Sequence, residues 1–164
     1  MHPSATRFAQ FSRHMSGLED PVLVTLKGHL LVEELLEALI RLKCRAPEHL
    51  KHARLGFYQK AALARALIGS SHENGLILPE SFWPLVLSLN ELRNDLAHQL
   101  ESSKRIERIE RFIAHAQITL GSDQGEKALA TGLRRAVEYL LGFLACFEEV
   151  VRTGEVPPRI ENDA

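Results

Sequence analysis

Two cysteines, one tryptophan and two tyrosines in 164 residues leave several chemistries without material. Cys44 and Cys146 stand among apolar neighbours with no CxxC spacing. Two are too few for the disulfide framework of a small secreted domain, so both are expected to be buried thiols in a reducing cytoplasm. Charge of one sign is lacking too: 20 basic side chains meet 21 acidic ones, for a net charge of -1. That balance excludes the broad electrostatic footprint of a protein that wraps duplex DNA. No apolar run reaches membrane-spanning length, because "HLLVEELLEALIRL" is interrupted by Glu33, Glu34 and Glu37. "MHPSATRFAQFSRHM" has no apolar centre of the signal-peptide kind. The expectation is a soluble, cytoplasmic protein with no membrane partner. There is no glycine-rich phosphate loop, no GxSxG and no cysteine-histidine nucleophile pair, which removes the usual anchors of nucleotide-binding and hydrolase folds.

What remains is helical periodicity. Apolar residues from Pro21 to about Leu42 (Leu23, Leu26, Leu30, Leu35, Leu39 among them) make a broad stripe, with Asp20 as cap and Pro21 in the first turn. "CRAP" ends it, since a residue before proline is pushed out of the helical region. A second helix is expected from Pro47 to Ile68, stopped by Gly69. Asn74-Gly75 then reads as a helix connection, because no alternating strand flanks it. A third helix should begin near Pro79 or Glu80 and run to about Leu100, with Pro84 in its first turns.

"KRIERIERFIAHAQITL" makes a charged fourth helix. A fifth opens with an Asp123–Glu126 capping box, buries Leu129 through Val151 along one side, and is ended by Gly154 and Pro157-Pro158. No repeat and no strand is apparent. The predicted architecture is an all-α, single-domain bundle of about five long helices over residues 1–164. Its core lies at about 20–152, after an N-terminal extension 1–19 and before a tail 155–164.

One stretch breaks the plain amphipathic pattern: "LNELRNDLAHQLE" sets Arg93, Asn94 and His98 within two helical turns. At 100° per residue Asn94 and His98 share a face, while Arg93 lies about 140° from His98 and must curl round the helix to reach it. Leu92, Leu96 and Leu100 continue a core stripe on another side. The plain alternative is that Arg93, Asp95 and His98 form the wet side of the helix near its C-terminus, where cations suit the dipole.

Arg93-Asn94 followed by His98 resembles the signature of the HEPN superfamily: an arginine, a polar residue that is most often asparagine, and a histidine a few residues on, all within a long helix of an all-helical bundle. "GHLLVEELLEALI" and "LGFYQKAALARAL" resemble the helices that precede this motif in the bacterial branch similar to the mannitol operon repressor. The likeness spans about residues 20–152. It implies a HEPN-like fold and two functions in competition.

One is metal-independent RNA cleavage, with Arg93, Asn94 and His98 as catalytic residues and no cofactor. One imidazole cannot be base and acid in a concerted step, so this route implies a homodimer that shares the motif cleft. The other is a non-catalytic regulatory or interaction module, for which the near-zero net charge speaks. A protein partner, including an antitoxin, would suit either.

Lys104, Arg105 and Arg108, in "KRIERIER", are the best candidates for a weak RNA-facing surface, against a wet helix face as the plainer reading. His29, Glu33 and Glu37 share metal-ligand spacing, but without HExxH wording they read as a solvated face and no metal is expected. His49 and His52 read the same way. Phe82 and Trp83 read as core, in preference to base-stacking platforms.

Overall fold

Asp20 and Pro21 start the helix around which the others gather: Val22 N donates to Asp20 Oδ1 at 2.8 Å, and the proline occupies a position whose N–H would have no partner in the helix. In the computed structural model, which describes residues 3–69, 77–98, 102–121 and 128–155, this is the second of six α-helices. They are α1 (Pro3–Met15), α2 (Pro21–Lys43), α3 (Phe57–Ile68), α4 (Phe82–His98), α5 (Ser102–Leu120) and α6 (Leu129–Thr153), with a 3₁₀ turn at Pro47–Leu50. The described residues contain no strand. The fold is an all-α helical bundle.

α2 packs against α1, α3, α4 and α6, while α5 closes over α4 and α6. The core is built from Val32, Leu35, Leu36 and Leu39 of α2, Leu85 and Leu89 of α4, and Leu133, Leu140, Leu141 and Leu144 of α6, all fully buried. α2 and α6 approach closely at Gly28, where an added Cβ would lie 2.3 Å from Val137 Cγ1. α3 runs in the same direction as α2: Phe57 meets His29, and Lys60 meets Glu33 and Glu37 further along both helices.

The structure departs from the sequence expectation in several places. Residues 1–19 are not a mere extension: α1 occupies most of them, and Phe11 and Met15 are buried in the core against α6 and α2. Those two apolar side chains one turn apart were the available signal. The helix expected from Pro47 to Ile68 is split. Lys51, His52, Ala53 and Arg54 are all exposed, so nothing buries a helical face there, and Gly56 restarts the chain with its N–H donating to Gln59 Oε1 at 2.8 Å. Finally, α2 does not bury its whole apolar stripe, since Leu23, Leu26, Leu30 and Leu42 are exposed.

The last helix begins at Leu129, after a non-helical Ala128 with no side-chain cap, later than the expected opening at Asp123, while the other boundaries agree closely. α2 ends at Lys43 with Cys44 as its cap, Gly69 caps α3, and Gly154, at φ 75°, takes the left-handed conformation that ends α6. Asn74-Gly75, Leu100, the Asp123–Glu126 box and Pro157-Pro158 lie outside the described residues.

Candidate functional site

Burial of one side of α4 sets where its polar residues point. Phe82, Trp83, Leu85, Val86, Leu89, Leu92 and Leu96 are buried, Phe82 and Trp83 in an edge-to-face pair with ring centroids 5.5 Å apart. Pro84 falls in the first turn, where a missing N–H costs no helical bond. The motif occupies the last two turns. Arg93 is half-buried, and its Nη1 donates to Asn94 Oδ1 at 3.0 Å. Asn94 and His98 are exposed. Among the described residues the His98 side chain makes no hydrogen bond and no ion pair. The structure thus joins Arg93 to Asn94 and leaves the imidazole apart from both within one chain.

Two polar contacts hold this segment of α4 from either side. On the α5 side, Arg108 Nη1 donates to Asp95 Oδ2 in an ion pair. Arg108, expected to face RNA, therefore has a carboxylate partner inside the motif itself. Lys104 is exposed and Arg105 half-buried. Lys104, Arg108, Arg111 and His115 recur at i, i+4, i+7 and i+11, a single line along α5. The last three border a shallow groove of about 420 Å³ whose opposite wall carries Ser88, Glu91 and Asp95 of α4. Arg111 pairs with Glu107 one turn back at 2.7 Å, an acid-before-base spacing that the sequence reading of this run did not register. The groove is mixed in charge.

The Arg108–Asp95 pair can be tested by exchange. Asp95→Arg or Arg108→Asp alone should lower the melting temperature by roughly 2–4 °C, as expected for the loss of about 1 kcal/mol in a domain of this size. The double exchange should restore it. A double variant no more stable than the singles would mean that the pair does not hold α5 to the motif.

On the α2 side the structure corrects the expectation of a solvated face. His29 is 8% exposed; its ring stacks on Phe57 with centroids 4.2 Å apart, and Nε2 lies 3.0 Å from Asn90 Oδ1. An amide oxygen only accepts, so Nε2 carries the proton. Position 29 falls in line with Thr25, Val32 and Leu36, which are also buried. That register was the missed signal, hidden by the exposed leucines of the same helix. Glu33 and Glu37 are not metal ligands in waiting: both accept from Lys60 Nζ, Glu33 at 2.6 Å. Burial alone would lower the Lys60 pKa, but its two carboxylate bonds prevail and hold it above the ordinary value. No group of three metal-ligating side chains occurs among the described residues. His49 and His52 are exposed, as expected.

Burial pushes the His29 pKa down; the Asn90 bond and Glu33 oppose this, while Arg93 and Lys60 add to it. The stability that comes from burying this ring neutral is therefore fully present above the unfolded value near 6.5 and is lost as pH falls through the lowered folded value. Acidification below about pH 6.5 should destabilise the native chain more than a His29→Gln variant. Equal loss in parallel denaturant titrations would refute this.

Cys44 and Cys146 are half-buried free thiols, not the fully buried pair expected. Burial and the nearby Glu149 raise the Cys146 pKa, which disfavours the reactive thiolate. Leu23, Leu26 and Leu30, 48%, 37% and 59% exposed, form an apolar line on α2, the helix that meets the motif helix at Asn90. No helix of the described residues is long and apolar enough to cross a membrane. No family model, no curated protein and no solved structure matches the chain.

Proposed function

We propose that the protein is a HEPN-like, metal-independent endoribonuclease that acts as a two-fold dimer. The observation that carries this reading is the end of α4: a guanidinium and an amide already hydrogen-bonded to each other, with an exposed imidazole one turn beyond Asn94. Arg93 has the planar donor fork that suits phosphate oxygens, and the imidazole of His98 is a group that can take up or give a proton. In the reaction a ribose 2′-oxygen attacks the adjacent phosphorus and the P–O5′ bond breaks. One His98 takes the 2′-hydroxyl proton, and the His98 of a second copy gives a proton to the departing 5′-oxygen. A dimer is required because one chain offers His98 once. The exposed Leu23, Leu26 and Leu30 supply apolar surface on α2, the helix that meets α4 at Asn90, on which a second copy can pack. No cofactor is needed.

A second reading is a non-catalytic regulatory or interaction module of the same fold, similar to the mannitol operon repressor. The pairing of Arg108 with Asp95 favours it, because it removes a free cation from the surface that RNA would cross. The test that separates the two is incubation of purified protein with single-stranded RNA in EDTA. Cleavage that leaves 2′,3′-cyclic phosphate ends and is lost in His98→Ala supports the enzyme. Intact RNA over a range of sequences supports the module, and cleavage that survives His98→Ala removes that residue from the mechanism.

A further inference from the structure

His29 is a buried titratable group that the proposed reaction leaves idle, and it is the imidazole within electrostatic reach of Arg93. Its surroundings argue against proton transfer to a substrate. Phe57 covers one ring face, Nε2 is engaged by Asn90, and 8% of the residue is exposed. Asn90 in turn stands one helical turn before Arg93 and Asn94, on the same side of α4. A side chain that grips α4 there controls the rotation of the helix about its own axis, and with it the direction in which the motif's guanidinium leaves the backbone. His29 is itself held by packing from α3, whose Lys60 ties down Glu33 one turn further along α2.

We infer that His29 is a positioning residue for the motif: by donating to Asn90 it fixes the register of α4 against α2 and so aims Arg93 and Asn94 as one unit. The inference rests on the ribonuclease reading only for its effect on activity. The geometric part stands without it. Charged groups face His29 from each of the three helices around it, Glu33 from α2, Lys60 from α3 and Arg93 from α4, so changes in the ring's charge would be felt at Arg93.

The deciding comparison is between His29→Gln, which keeps an N–H donor near the Nε2 position, and His29→Leu, which keeps the packing on Phe57 but loses the donor. Asn90→Leu serves as a second way of cutting the same bond. The first readout is the Arg93 guanidinium Nη–H signal of the intact protein by low-temperature NMR, since Nη1 makes the bond to Asn94, and it needs no activity. It should be dispersed and slow to exchange in the native chain and in His29→Gln, and should collapse towards the position of a free arginine in His29→Leu and Asn90→Leu. The second is RNA cleavage: kcat should fall about tenfold or more in the two leucine variants with KM within threefold, while His29→Gln stays near native at neutral pH, where the buried ring is uncharged.

An Arg93 signal unmoved in folded leucine variants overturns the inference. So does cleavage lost equally in His29→Gln and His29→Leu, which would make the imidazole itself a participant. If the native protein cuts no RNA yet the Arg93 signal moves as described, the ribonuclease reading fails and the positioning role holds.

Discussion

Gly28→Ala should destabilise the protein by about 1–3 kcal/mol, roughly 2–12 °C in melting temperature for a chain of this length, although alanine is the better helix former. In the interior of an exposed helix the same change would be stabilising by about 1 kcal/mol. Here the new methyl would sit 2.3 Å from Val137 Cγ1, well inside van der Waals contact. Val137 is fully buried and β-branched, so its side chain has one favoured rotamer in a helix and no empty space to turn into. The strain must appear as a separation of α2 from α6, and that seam is the most extensive helix-helix contact among the described residues. Val137→Ala removes the obstructing methyl groups and should recover part of the loss when combined with Gly28→Ala, so the two substitutions should be non-additive. Thermal melts of the two single variants and the double variant decide it. Simple additivity would mean that the close approach is not what makes glycine necessary.

The other large effect falls on activity. On the ribonuclease proposal, His98→Ala should reduce RNA cleavage by about 10²–10⁴-fold, the usual worth of general acid-base catalysis, and in the proposed dimer the one substitution removes the base and the acid together. His98 is exposed and carries no packing, so the variant should melt within about 1 °C of the native protein. Arg93→Lys tests the guanidinium separately. It keeps the charge and loses the planar fork, and should cost at least tenfold in kcat, since lysine offers phosphate a point charge without the paired donors. Initial rates on a labelled oligonucleotide with EDTA present give both numbers. Full activity in Arg93→Lys would reduce Arg93 to a general attraction for phosphate.

Much of the fold was legible because helices announce themselves by period. Asp20-Pro21, Gly69 and Gly154 each placed a helix end correctly, and Phe82 and Trp83 read as core and are core. What failed did so for identifiable reasons. The buried Phe11 and Met15 of α1 stand in a largely polar run, which outweighs their signal. The leucine-rich stripe of α2 was too wide for one buried face, and periodicity alone could not say whether His29 or Leu30 would be inside. That choice depends on what α3 and α4 bring to the surface, namely Phe57 and Asn90. At the site, the sequence placed Arg93, Asn94 and His98 on one helix but could not reveal the partners of Asp95 and Asn90, which come from helices remote in the chain.

The early helix α1 docks chiefly on α6, with the other four helices lying between them in the order of synthesis. On a ribosome this first segment would emerge long before its resting place exists, and Phe11 and Met15 would stay uncovered until the late helix left the exit tunnel. Closure of the bundle would then wait for its last-made helix, and a nascent chain stalled before α6 would display the apolar side chains of α1 to chaperones.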